Sequence, residues 1–201
     1  MHPNPVYHTA SDAQNLEFAR DRGFGILSVN GTDGPLISHV PFILTEGAVE
    51  LHLVRSNPIA RAEGPLEAVI AVSGADSSGS PDWYGMEDQV PTWNYVAVHL
   101  RGTLERRPDD ELRGLLDRQS AEFEGRLAPK VPWSLGKMDD AALARLMRMI
   151  VPYRMHIRAV DGTWKFSQNK PEDVRLRAAE QVGAHGFGAE VAQLAARMRD
   201  A

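Results

Sequence analysis

The chain has 201 residues, 43% of them hydrophobic and 24% charged, with a formal net charge of -5 and no cysteine. It is long and apolar enough to bury a core without metals or disulfides, and the lack of thiols excludes disulfide scaffolds, thiolate metal sites and cysteine nucleophiles together. The acidic balance, with no concentrated Lys/Arg stripe, opposes the phosphate backbone of nucleic acid, so a DNA partner is possible but unsupported by charge. No apolar run reaches membrane-spanning length, and "MHPNPVYHTASDAQ" has no basic stretch followed by an apolar one, which together predict a cytoplasmic protein with no membrane partner.

In chain order, "ASDAQNLEFARDRG" predicts a first helix: Ser11 caps it, Gln14 completes a capping box, Leu16, Phe18 and Ala19 give an apolar face, and Gly23 ends it. "FGILSV" (Phe24 to Val29), the turn-rich "NGTDGP" and "LISHVPFIL" (Leu36 to Leu44) read as a hairpin, followed by a third strand, "AVELHLV". "SNPIARAEG" predicts a short helix capped by Ser56, and "AVIAV" (Ala68 to Val72) a short buried strand. From Ser73 to Pro91 the density of Gly, Ser, Asp and Pro predicts a long loop anchored by Trp83 and Tyr84, the kind of loop that often carries function.

"TWNYVAVHLRGTLE" then predicts a long strand, and "RPDDELRGLLDRQSAEFEGR" an acidic-headed helix with Leu112, Leu115, Leu116 and Phe123 on one side. "MDDAALARLMRMI" is a further amphipathic helix capped by Asp139 or Asp140. "YRMHIRAVDG" alternates as a strand, "TWKFSQNKP" connects, and helices from about 171 close the chain. About six strands with few helices between them predict one α+β domain over 1–201, built on a small antiparallel barrel with peripheral helices.

Three constellations bear on chemistry. His39, His52, His99 and His156 fall on predicted strands, but without tight spacing or a supporting carboxylate they read as hydrogen-bonded or pocket-lining histidines, and no metal site is expected. In "HLVRSNPIAR", Arg55 and Arg61 flank a strand-to-helix junction with Ser56 and Asn57, a receptor for phosphate or carboxylate or simply a solvated cap. "TWKFSQNKP" groups amides, a hydroxyl and two lysines, which suit a polar heterocycle and a phosphate, or a polar turn before a helix begun by Pro171. There is no G-x-S-x-G elbow, G-x-G-x-x-G fingerprint or Walker loop, and the pairs Asp109/Asp110 and Asp139/Asp140 sit at helix starts, where the dipole explains them.

Taken together, "HLVRSNPIAR", "SPDWY", "VPTWNYVAVHLRG" and "WKFSQNK", in this order and spacing, resemble the PaiB-like family of FMN-binding negative transcriptional regulators, from the first helix to about Val182. That family is similar to the wider FMN-binding split-barrel group of pyridoxamine-phosphate oxidases, flavin reductases and haem-utilisation proteins. The resemblance implies a six-stranded antiparallel split β-barrel, a homodimer, and FMN or a similar planar ligand near the dimer interface. Carried over, the cofactor-binding positions are Ser38, His39, His52, Arg55, Asn57, Arg61, Trp83, Tyr84, Thr92, Trp93, Asn94, Tyr95, Lys165, Gln168, Asn169 and Lys170. The expected roles are cations and hydroxyls for the FMN phosphate, amides for the polar edge of the isoalloxazine and aromatics for its faces. No residue stands out as an acid or base, so an enzymatic role, if there is one, would be that of a flavin-dependent oxidoreductase. The alternatives are a transcriptional regulator without flavin chemistry and a haem-binding split barrel. One departure stands out: where the family commonly reads "GPHAYISPSWY", this chain has "GADSSGSPDWY", with Asp76 and Ser78 in place of a histidine and a tyrosine.

Overall fold

A computed structural model describes residues 2–201. Helix α1 (Asp12–Arg22) starts at the expected capping box: the Ser11 backbone N–H donates to Gln14 Oε1 at 2.8 Å, and the Gln14 N–H donates to Ser11 Oγ at 3.3 Å. Gly23, at φ +57°, ends it. Strands β1 (Phe24–Gly31) and β2 (Gly34–Pro41) form a tight hairpin in which Phe24 faces Pro41 and Gly31 faces Gly34. The second predicted strand does not run on to Leu44. Pro41 has no N–H to donate, and the Phe42 N–H turns away to the Gly23 carbonyl at 2.9 Å. The remainder becomes a separate strand, β3 (Ile43–Thr45), paired with β4 (Ala48–Val54), whose bounds match the expected ones.

Strand β5 (Leu66–Gly79) is the largest departure from the sequence reading, because it continues through the start of the segment expected to be loop, from Ser73 to Gly79. "SGADSSG" looks like a turn by composition, yet Gly74, Ala75, Ser77 and Gly79 are buried. Small residues are what this stretch requires, since a Cβ on Gly74 would stand 2.7 Å from the Phe18 ring. Pro81–Tyr84 then form a 3₁₀ turn capped by Ser80, before β6 (Thr92–Arg106). Helix α2 (Leu112–Gly125) buries Leu112 and Leu115, and α3 (Asp140–Met147) is capped by Asp139, whose Oδ1 accepts from the Ala142 N–H at 3.0 Å. Strand β7 (Ile150–Lys165) outruns its expected bounds at both ends and absorbs the start of "TWKFSQNKP"; α4 (Glu172–His185) and α5 (Val191–Asp200) follow.

The strands form one sheet in the order β2-β1-β5-β6-β7-β4-β3, with antiparallel pairing at β1–β2, β1–β5, β3–β4 and β4–β7. The mixed fold of an antiparallel sheet with peripheral helices is as expected. The expected six-stranded barrel is corrected to seven strands in an open order with β2 and β3 as edges, because the break after Pro41 makes two strands of one. No helix among the described residues is long and apolar enough to cross a membrane.

The chain divides into two compact units. The first gathers the stretch up to Phe18 with Val72–His99 and Val160–Ala201; the second holds Ala19–Ala71 and Leu100–Ala159. The first buries Phe18, Val72, Tyr84, Val98, Val182 and Met198, and the second Leu27, Phe42, Leu51, Ile70, Leu104 and Met155. Each such side chain contributes about 1.5–3 kcal/mol by leaving water.

In the second unit a Cβ on Gly102 of β6 would collide with the His156 carbonyl of β7. Gly102→Ala is therefore expected to cost about 1–3 kcal/mol, read as a fall in the urea midpoint, and an unshifted midpoint would contradict this tight approach of the two strands.

Candidate functional site

In the second unit, the residues after β4 make a turn in which the Asn57 N–H donates to the Val54 carbonyl at 2.9 Å. The expected cap, Ser56, is not the residue that serves. Asn57 Oδ1 accepts from the Ile59 N–H at 2.9 Å, while its Nδ2 donates to Ser38 Oγ on β2 at 3.0 Å. A single amide thus shapes the turn and fastens it to the neighbouring strand.

The two arginines of this turn are placed differently. Arg55 donates from Nη2 to Asp109 Oδ2 at 2.7 Å and from Nε to the Arg148 carbonyl at 2.8 Å. The Arg55 hydrogen bond, then that of Arg106, holds the Asp109 carboxyl below its ordinary range. Arg61 is exposed; its backbone N–H donates to the Pro58 carbonyl at 3.2 Å, but its guanidinium makes no hydrogen bond or ion pair among the described residues, and it borders a cleft of 560 Å³ also lined by Glu63, Glu105, Arg106 and Tyr153.

The histidines fall apart as a set. His52 donates from Nδ1 to Gln119 Oε1 at 2.9 Å, and burial pushes its pKa down against that bond, so it is a neutral packing residue on the α2 side of β4. His39 is exposed on the outer face of the hairpin, stacked with Phe24 at 6.3 Å between centroids, and His156 is exposed on β7. No three His, Asp or Glu groups among the described residues are placed to hold a metal ion.

The sequence reading passed over the most deeply buried carboxylate of this unit. Glu50 of β4, 4% exposed, accepts from Arg118 Nη2 of α2 at 2.7 Å and Arg154 Nη2 of β7 at 2.5 Å. Burial alone would raise its pKa, but the hydrogen bonds from Arg154 and Arg118 bring it below the ordinary value. A lone acid inside the apolar run "AVELHLV" was the available signal.

The other expected positions gather in the first unit. Asn94 and Ser167 are buried, Tyr84 is 1% exposed, and they form a chain: Tyr84 O–H to Ser167 Oγ at 3.4 Å, then Ser167 O–H to Asn94 Oδ1 at 3.1 Å. Asn94 Nδ2 has no hydrogen-bond partner among the described residues. Gln168 pins the turn after β7, accepting from the Phe166 N–H at 2.7 Å and donating to the Trp164 and Val6 carbonyls. Lys170 lies 4.2 Å over the Tyr84 ring and donates to Gln89 Oε1, whereas Lys165 lies 5.5 Å over Tyr7 with its pKa pulled down by burial. Thr92 Oγ1 donates to the Val90 carbonyl at 3.2 Å; Trp83 and Tyr95 are half-buried, and Asn169 is exposed.

Trp93, 44% exposed, donates from Nε1 to Asp76 Oδ1 at 3.2 Å and meets the Phe187 edge at 5.6 Å between centroids. The Asp76 N–H donates to the Ala189 carbonyl at 2.9 Å. The acid that stands in the altered loop sequence is therefore engaged on both its backbone and its side chain.

Residues 1–159 match the model of a family described as "Putative FMN-binding domain". The chain is 26% identical over 184 residues to the protease synthase and sporulation protein PAI 2 of Bacillus subtilis, across 89% of this chain and 87% of that one. It is 24% identical to an uncharacterized protein of Aspergillus fumigatus, with 87% of each chain covered. Among solved structures, the FAD and heme binding protein from Mycobacterium smegmatis is similar with a TM-score of 0.58 at 17% identity, covering 89% of this chain and 80% of that one. A conserved hypothetical protein from Mycobacterium tuberculosis is similar with a TM-score of 0.56 at 14% identity, covering 85% and 94%. At these identities the structural likeness is one of fold.

The buried Glu50 gives a pH prediction. Its folded pKa is lowered from 4.5, so the stabilisation is present above that value and is lost as pH falls through the lower, folded one. Glu50→Gln is expected to cost about 1.5–3 kcal/mol at pH 7. In denaturant titrations across pH, the gap to the unsubstituted protein should close in acid, and a gap independent of pH would refute the assignment.

Proposed function

Because the chain belongs to the FMN-binding domain family, we propose that it is a flavin-binding protein that takes FMN by its phosphate at the turn after β4. The observation that carries this reading is Arg61, an uncommitted guanidinium beside an open cleft, on a turn that Asn57 fastens to Ser38 of β2. A guanidinium is always charged and matches two phosphate oxygens at once. The exposed Ser56 hydroxyl adds a donor on the same turn, while Asp109 keeps Arg55 neutralised and directed elsewhere. Bound FMN would supply a redox-active isoalloxazine. The chain's own part is to fix the phosphate and hold the turn rigid. Any activity would then be that of a flavin-dependent oxidoreductase, since the net charge of -5 favours no nucleic-acid partner.

A second copy of the chain belongs to the same proposal. Phe24 and Ile37 are 54% and 61% exposed, and the β1–β2 register puts them on one face with Ile26 and His39. An apolar face of this kind suits an isologous dimer.

Two measurements test the reading. Titrating FMN and riboflavin against the protein by flavin fluorescence should show a preference for FMN that Arg61→Ala removes; the expected loss is about tenfold or more in affinity for FMN. No binding of either flavin would sink the proposal, and an equal affinity for both would remove Arg61 from it. By light scattering the protein should be a dimer and Ile37→Asp a monomer, whereas a monomeric unsubstituted protein would contradict the proposed interface.

A further inference from the structure

A second cavity in the same unit lies away from the turn after β4. It measures 270 Å³ and is walled by the last turn of α1, by Phe42 and β3, and by one face of α2. Its apolar wall is Phe42, only 1% exposed, with Ile43 and Leu44. Its polar wall carries three cations and one acid: Arg118 and Glu122 of α2 and Arg126 at the C-cap of that helix follow one another at four-residue spacing, and Arg20 joins them from α1.

The charges here are fixed in part by their neighbours. Arg126 donates to Glu122 and, from Nη1 and Nη2, to the Asp21 and Arg20 carbonyls at 2.6 and 2.9 Å, so it closes the C-terminal end of α1 and takes up the one acid of the lining. Arg118 gives Nε and Nη2 to Glu50 and keeps Nη1 free of any hydrogen bond among the described residues. Arg20 is exposed and its guanidinium makes no hydrogen bond or ion pair among the described residues. A solvated arginine in the last turn would also suit the helix dipole. That alone does not account for its place at a cavity whose opposite wall is apolar and whose other cations are held rigid.

We propose that this cavity is a binding site for a small organic carboxylate with an apolar body, whose carboxylate is met by Arg20 and Arg118 and whose hydrocarbon rests on Leu44, the partly exposed residue of the apolar wall. The volume is at the small end of ligand pockets, which fits a single ring or a short chain rather than a dinucleotide. Arg20 is the specificity-determining residue, since it is the cation in the lining with no partner to give up on binding. A guanidinium pair recognises a planar carboxylate in two-point fashion, and the apolar floor discriminates against a bare ion.

The test uses the full chain and phenylacetate as the probe, with 2-phenylethanol as the neutral isostere and inorganic phosphate as the bare anion, each followed by calorimetry. Phenylacetate should bind saturably, the alcohol should not, and phosphate should be weaker by at least about tenfold because it gains nothing from the apolar wall. Arg20→Ala should weaken phenylacetate about tenfold and Arg20→Lys by less, with the thermal midpoint of both variants unchanged. Equal binding of the alcohol, equal binding of phosphate, an Arg20→Ala variant that binds as tightly as the unsubstituted chain, or no binding of phenylacetate would each overturn the proposal. Flavin titration of the same variants separates it from the turn after β4, because Arg20→Ala should leave FMN affinity untouched.

Discussion

One buried carboxylate organises the second unit. Glu50 sits inside an apolar strand, and Arg118 from α2 and Arg154 from β7 converge on it. The geometry is obligatory because a desolvated carboxylate without partners is far more costly than a paired one. Neither arginine is as buried as Glu50: their side chains are 51% and 34% exposed, so each keeps part of its hydration while neutralising the acid. Helix α2 is thereby fixed against β4, and with it the Gln119 amide that occupies His52 and the arginines that face the cavity below β3.

The same logic sorts the other charges of that unit by availability. Asp109 is shared by Arg55 and Arg106, Glu111 takes Arg107, and Glu122 takes Arg126. These exposed pairs contribute little stability, typically below about 1 kcal/mol each. Their larger effect is to decide which cations stay open. Arg61 and Arg20 have no such acid, and both border a cavity. Each functional proposal therefore rests on a cation that the surrounding ion pairs leave uncommitted.

Much of the fold was legible because it follows local rules. The Ser11–Gln14 capping box, the bounds of β4 and the Asp139 cap all came out of short-range chemistry. What failed depended on packing partners that no window of sequence contains. "SGADSSG" extends β5 because the Phe18 ring leaves room only for small residues, and the second strand of the first hairpin breaks at Phe42 because its N–H finds Gly23 instead of the ladder. At the candidate site, the motif "HLVRSNPIAR" puts Asn57 and Arg61 at the junction after β4, but Ser56 and Asn57 look alike as caps until the Ser38 hydroxyl on β2 selects the longer side chain. Glu50 was missed for a related reason: its two arginines lie 68 and 104 residues away in the chain.

Asp76 illustrates how a local departure can be absorbed at long range. An unpartnered acid would be costly on the partly buried strand β5, yet here its carboxylate accepts the Trp93 indole N–H and its backbone N–H meets the Ala189 carbonyl. The loop that supplies Ala189 can lie against the strand only because Gly188, at φ +139°, carries no side chain where the Asp76 backbone passes. Phe187 of the same loop packs its ring against Trp93. The residues that stabilise the acid thus come from the α4–α5 connection, which lies beyond the family-matched residues 1–159. A residue within the family-matched segment and a structure outside it form one packing unit, so Asp76 bears on how the C-terminal helices are held before it bears on any ligand's surroundings.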